Sequence, residues 1–192
     1  MAEIKKIWML QSFDKERCRH EINGLTAVLH CHHFASLTTQ LANDCILLDA
    51  KRLLAECAED TFYKVLTNYY HQHNITKLND RIRVAELYFS EVGLGKMKVK
   101  YAGPYSGEII LEHSHVDEGW IKKWGVFDKP VNYIGCGFAT AVFSAIYDRG
   151  RREYNATELR SIACGSDVSV IEVVEAMGNG AMGNEAMGNG GR

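Results

Sequence analysis

The sequence predicts a single mixed domain of helices and strands, followed by a short repetitive tail that lies outside the fold. Two kinds of periodicity and one change of composition predict this. Apolar residues recur at three and four between about Ala50 and Tyr70, which is the period of one helix face. Lys96 to Tyr101 alternates with period two, as a half-buried strand does. From Glu175 onward the chain repeats Ala-Met-Gly-Asn every five residues, a unit too rich in glycine to bury a core. The expected organisation is therefore one domain over 1–174 and a disordered tail over 175–192.

Length and composition narrow the function classes. The chain has 192 residues, 46% of them hydrophobic and 24% charged, enough for one well-cored domain and too few for two. A net charge of −2 argues against nucleic acid as a partner, because phosphate binding needs a basic surplus. Arg149, Arg151 and Arg152 cluster, and a solvated turn explains them without a nucleic-acid partner. No apolar run is long enough to span a membrane. Met1 to Lys6 carries charge without the apolar stretch of a signal peptide. A cytoplasmic location is expected. The six cysteines, Cys18, Cys31, Cys45, Cys57, Cys136 and Cys164, form no C-x-x-C pair and are expected as free thiols.

Reading along the chain, Ile4 to Leu10 is apolar enough for a strand or short arm. Asn23-Gly24 predicts a hairpin turn between Arg19–Ile22 and a second strand running from Leu25 through His32. Phe34 to Ala42 reads as a short helix, and Ala50 to Tyr70 as a long one. Asn79 or Asp80 can cap a third helix that ends near Val92, before Gly93. The strand at Lys96 turns at Gly103-Pro104-Tyr105-Ser106-Gly107 and returns over Glu108 to His115. Asp117 to Trp124 is a short helix. Val131 to Tyr147 is a strongly apolar helix whose Gly135, Gly137, Ala139, Ala141 and Ala145 imply very close packing. Two last strands, Glu153 to Ala163 and Asp167 to Val174, are joined at Gly165.

Six of the eight histidines fall in three His-x-His pairs. On a strand, residues two apart share a face. His30 with His32, and His113 with His115, would therefore each present two imidazoles side by side. If the two strands are close, the four rings could ligate a transition metal, iron or zinc being the expected occupants. Glu112, Asp117, Glu86 and Glu91 are the carboxylates available to such a site. An exposed strand face without metal gives the same pattern. His71 and His73 are read as a favourable cationic helix end. There is no G-x-S-x-G and no P-loop, and Gly135-Cys136-Gly137 lacks the third glycine of a dinucleotide loop.

Cys136-Gly137-Phe138-Ala139-Thr140-Ala141, followed by Glu158-Leu159-Arg160-Ser161-Ile162-Ala163-Cys164-Gly165 and on through Ser169 to Ile171, resembles the 4-vinyl-reductase family of small-molecule-binding domains. Its relatives include the sensor domains of aromatic-responsive activators and, more distantly, small TRAPP subunits. The family pattern is a Gly- and Ala-rich helix entered by a cysteine, then Glu-x-x-Cys-x-x-x-Gly-x-x-x-Cys-x-aromatic. Both closing cysteines, which help hold a structural zinc in metal-binding members, are replaced here by Ser161 and Ser169. Hydroxyls are poor zinc ligands beside thiolates, so that site is not expected.

The resemblance implies an α/β (α+β) domain: an antiparallel sheet packed by helices, often dimeric, with an apolar pocket between them. Candidate lining residues are Phe62, Leu66, Tyr69, Phe89, Trp120, Trp124 and Phe138, with Leu87, Phe127, Tyr133 and Phe143 as further members. Such a lining suits a flat hydrophobic molecule, aromatic or tetrapyrrole-like. The expected function is binding or sensing of that molecule, with a homodimer expected and neither nucleic acid nor membrane as a partner. Two alternatives stand beside it. One is a metalloenzyme using the histidine site for oxygen or water chemistry, with Glu86 or Glu112 as ligand or base. The other is an assembly subunit with a flat apolar interface.

Overall fold

The computed structural model describes residues 10–28 and 30–176. The elements follow as β1 (Gln11–Asp14), β2 (Arg19–Ile22), β3 (Leu25–Ala27), α1 (His32–Asp44), α2 (Ala50–Gln72), α3 (Leu78–Glu91), β4 (Gly95–Ala102) and β5 (Ser106–Ser114). They continue with α4 (His115–Trp124), α5 (Tyr133–Ile146), β6 (Tyr154–Arg160), a 3-10 turn (Ile162–Cys164) and β7 (Ser169–Glu175). A small antiparallel sheet is ordered β1-β2-β3, and a larger one β4-β5-β7-β6. The fold is α+β, with helices against antiparallel sheet.

The helix α5 organises the core. It lies between α2 and the larger sheet, and almost every side chain from Gly135 to Ile146 is buried. Its small residues allow that placement. A Cβ on Gly137 would come within 2.1 Å of the Ala55 carbonyl oxygen and 2.8 Å of Ala58 Cβ on α2. On the sheet side Phe143 lies over Gly107, whose Cβ would meet the ring at 2.1 Å. At the C-terminus of α5 the buried Arg81 of α3 donates to the carbonyls of Ala145 and Ile146 and pairs with Asp148 at 2.7 Å. A guanidinium there satisfies carbonyls that the helix itself leaves open.

Several boundaries differ from expectation for local reasons. The strand after Asn23-Gly24 ends at Ala27, and His32 already opens α1. Likewise Ser114 closes β5 and caps α4 through the Asp117 N–H, so His115 is helical. Neither Asn79 nor Asp80 caps α3; Lys77 precedes it with no side-chain bond. On β4 the register shifts between Val99 and Tyr101. That bulge turns Tyr101 outward, where simple alternation would have put it inward with Met97. Asn132 caps α5 by accepting from the Gly135 N–H. β6 ends at Arg160, and the chain turns through Gly165 at φ +87° into β7.

The Ala-Met-Gly-Asn repeats from Met177 onward, and the segment Ile4 to Met9, lie outside the described residues. No helix among the described residues is long and apolar enough to cross a membrane. Because α5 is enclosed on both sides, Ala141→Leu and Gly137→Ala are each expected to cost about 1–3 kcal/mol through overpacking. Urea unfolding measures this; a loss below about 0.5 kcal/mol would show that α5 has room.

Candidate functional site

The most polar place in the interior is the start of α4. Asp117, fully buried, lies in its first turn. Its Oδ2 accepts from Asn132 Nδ2 at 3.0 Å and from Ser169 Oγ at 3.1 Å. Its Oδ1 accepts from Ser161 Oγ at 3.3 Å. Asn132 Nδ2 also donates to Ser114 Oγ at 2.9 Å. One carboxylate thus joins the caps of α4 and α5 to the end of β6 and the start of β7. Burial raises the Asp117 carboxyl above its ordinary value, while the hydroxyl and amide donors pull it back.

The closing-motif serines are therefore engaged on a carboxylate. Ser169 Oγ also accepts from the Ile162 N–H, and Ser161 Oγ from the Ala163 N–H. Burial pushes the Cys136 thiol up to about 12, so it is a thiol at neutral pH. Among the described residues no group of three or more His, Cys, Asp or Glu side chains is placed to hold a metal ion. These donors do not fit the structural zinc of metal-binding relatives.

Beside this network, an open groove of about 830 Å³ runs between α2, α5 and β6. It is lined by Ala55, Asn132, Tyr133, Cys136, Gly137, Thr140, Tyr154, Ala156 and Glu158 among others. Its rim is charged and braced. Arg152 pairs with the buried Glu59 at 2.6 Å, and Arg52 with Glu56 at 2.9 Å. Glu158 is the unusual member. It is 7% exposed; its Oε2 accepts from the Asn132 N–H at 3.1 Å, while its Oε1 has no hydrogen-bond partner. Burial first, and then the charge of Asp117, raise its carboxyl to about 7.

The histidines gather in a different way from the two-strand arrangement. The His115 ring lies 5.5 Å from that of His30 and 6.4 Å from that of His32, with His33 stacked at 4.4 Å on His32. His113 is turned away; it is exposed and bonds Glu118 at 3.1 Å. The period-two premise fails because His32 and His115 each open a helix. Three rings of the expected four converge, with Nε2 of His115 buried and unpartnered. His71 and His73 are exposed at the C-terminal end of α2, with His73 stacked on Tyr69.

Most of the aromatic candidates build core. Leu66, Tyr69, Phe89 and Phe138 are buried in the main cluster, with Phe62 packed against it. Phe138 meets Phe62 at 4.7 Å and Phe89 at 4.9 Å. Trp120 belongs to a second cluster with Val131 and Ala163, and Trp124 is 48% exposed. None of these seven residues lines the groove; Tyr133, a further candidate, does. Arg149, Arg151 and Arg152 are ion-paired to Glu175, Asp60 and Glu59 and form no open basic patch. Sequence reasoning passed over Asp117 and Asn132 as polar anchors. Ser114-x-x-Asp117 is a capping-box pattern, and Asn132 before an apolar run is an N-cap signal, so both were available as local signals.

No family model and no curated protein matches the chain. Solved structures do. The phenol-responsive sensory domain of the transcription activator PoxR, solved with phenol, overlays with a TM-score of 0.72 at 16% identity, covering 86% of this chain and 84% of that one. A trafficking protein particle complex subunit 3 from Naegleria fowleri, covalently bound to palmitic acid, overlays at 0.51 and 14% identity, over 76% of this chain and 95% of that one. A vinyl-4-reductase family protein from Methanocaldococcus jannaschii overlays at 0.49 and 15% identity, over 76% and 78%. The structural neighbours thus include the family and both groups of relatives that the closing segment resembles. The chain shares the fold of the sensory domain.

Two outcomes are expected. Asp117→Ala leaves several buried donors facing nothing, at a cost of about 2–4 kcal/mol, and Ser169→Ala about 1–2 kcal/mol; near-neutral urea midpoints would remove the network from its structural role. Burial, followed by its histidine neighbours, holds His115 below the ordinary 6.5, and burial followed by His33 does the same for His32. A base depressed in the folded state contributes stability that is intact above about pH 6.5 and lost as the pH falls. Wild type should therefore lose stability relative to His115→Phe on acidification from pH 7 to 5. Parallel curves would show that the cluster titrates freely.

Proposed function

We propose that this chain is a binding or sensing domain for a small molecule with an apolar body and one hydrogen-bond donor. The site is the groove between α2, α5 and β6, with Glu158 as the polar anchor. The single observation that carries this reading is that Glu158, a residue lining the groove, has a buried Oε1 with no hydrogen-bond partner. Buried polar atoms without partners are uncommon and costly, and a ligand hydroxyl supplies the missing bond. The shared fold with a phenol-responsive sensory domain supports an aromatic hydroxyl compound as the first ligand to test. The volume falls in the range of small-molecule sites and leaves room for substituents on a single ring.

Charge sets the pH dependence. A ligand hydroxyl that donates to Glu158 favours the carboxylate, whose formation the empty site resists up to about pH 7. Affinity should therefore weaken as the pH falls from 8 to 6. Calorimetry with phenol and alkyl-substituted phenols tests this. Glu158→Gln is expected to cost about tenfold in affinity, consistent with one charged hydrogen bond, and to flatten the pH profile. Undiminished binding in Glu158→Gln would move the ligand elsewhere in the fold, and no binding by wild type would end the phenolic reading.

A further inference from the structure

Three imidazoles meet where α1 crosses α4, outside the groove. His30 precedes α1, His32 opens it and His115 opens α4. Close helix packing brings them together. A Cβ added to Gly119 of α4 would stand 2.7 Å from His32 Cβ and 3.3 Å from Ser36 Oγ, so glycine permits the approach. The His115 ring then lies 5.5 Å from that of His30 and 6.4 Å from that of His32. A ring nitrogen about 2.0 Å from an ion puts its ring centre about 3.2 Å from that ion. Two imidazoles on one tetrahedral ion are therefore roughly 5 Å apart. His30 and His115 stand close to that separation, and His32 is roughly 1 Å beyond it. The nitrogens agree. Nε2 of His115 is buried with no hydrogen-bond partner. Nδ1 of His30 faces the Cys31 carbonyl at 3.4 Å, a contact that keeps the proton on Nδ1 and leaves Nε2 as a lone-pair donor.

We propose that His30, His32 and His115 bind a single divalent cation of the zinc class, which fastens the entry of α1 to the start of α4. This goes beyond the groove reading and does not depend on it. As the side chains stand, no three among the described residues are placed to hold an ion. His30 is exposed and His32 only partly buried, so their rings can turn between rotamers onto an ion beside the more enclosed His115. Closure asks for ring rotation, with the two helices already in contact. The donor set selects the cation. Imidazoles without a carboxylate suit zinc, copper or nickel, whereas magnesium and calcium take oxygen ligands. The neighbouring charges point the same way. Lys122 bears on His32, and Glu118 bears on His115 while bonding His113. No surplus of negative charge draws a hard cation to this place, so the coordinate bonds to nitrogen carry the affinity. Three protein ligands leave a fourth position open to water.

Calorimetric titration of the untagged full chain with zinc tests the proposal. Wild type is expected to bind a single ion. His30→Ala and His115→Gln should each weaken binding at least about tenfold, which is the cost of losing even an outer partner of a metal ligand. His113→Ala and His73→Ala should bind as wild type does, because His113 turns to Glu118 and His73 stacks on Tyr69. His30 is exposed, so His30→Ala should melt as wild type does without metal. Zinc should raise the melting temperature of wild type and leave that of His30→Ala unmoved. As a second measurement, cobalt(II) in place of zinc should show ligand-field bands without a thiolate charge-transfer band, since the donors are ring nitrogens. A wild type that binds no zinc overturns the proposal. So does binding that survives both His30→Ala and His115→Gln, binding that is lost in His73→Ala, or a thiolate band that moves the ion onto a cysteine.

Discussion

The hydrogen-bonded carboxylate of Asp117 joins the starts of two helices to the adjacent ends of two paired strands. Its partners come from the start of α4, the start of α5, the end of β6 and the start of β7. Each partner also caps or turns its own segment: Ser114 and Asn132 cap helices, and Ser161 and Ser169 hold the 3-10 turn between the last two strands. A buried charge is tolerated only when donors surround it. The donors in turn are held in place because the charge needs them. Here a buried carboxyl gathers an amide and the hydroxyls of Ser161 and Ser169.

Much of this fold was legible in the sequence because its signals were local. The long period of α2, the Asn23-Gly24 turn and the small residues of α5 each act within a few residues, and each element formed where the pattern predicted. What the sequence hid was longer in range or depended on a cap. Ser114 begins α4 three residues before the acidic start that composition suggests, so His113 and His115 no longer share a strand face. The four-histidine site lost a member for that reason alone. The aromatic candidates lie away from the groove for a different reason. Phe62, Phe89 and Phe138 fill the interior between helices, and a sequence cannot distinguish a ring that lines a cavity from one that fills it.

Burial also explains why the groove was invisible beforehand. Its lining mixes Cys136 and Gly137 with Glu158, more than twenty residues later, brought together because β6 runs beside α5. Its rim depends on Glu59, which accepts from both the backbone and the guanidinium of Arg152. That clamp fixes the loop before β6 on α2 and so sets the width of the opening. The three arginines that suggest a basic patch in the sequence serve instead as fasteners.

The groove and the network meet at Asn132. Its backbone N–H donates to Glu158, and its side chain donates to Asp117. The two carboxyls share a donor residue and a poorly solvated setting, and each disfavours ionisation of the other. Ser161, Ser169 and Asn132 favour ionisation of both carboxyls, and Glu158 keeps one oxygen without a hydrogen-bond partner. Burial raises both carboxyls, and the charge of Asp117 adds to burial in raising Glu158 to about 7. A hydroxyl donated to Glu158 from the groove lowers the cost of the second charge. The ionisation it favours is felt by the carboxylate that joins α4, α5, β6 and β7. A ligand bonded to Glu158 in the proposed groove site would in this way be coupled through Asn132 to the junction on which the helices and the last two strands converge.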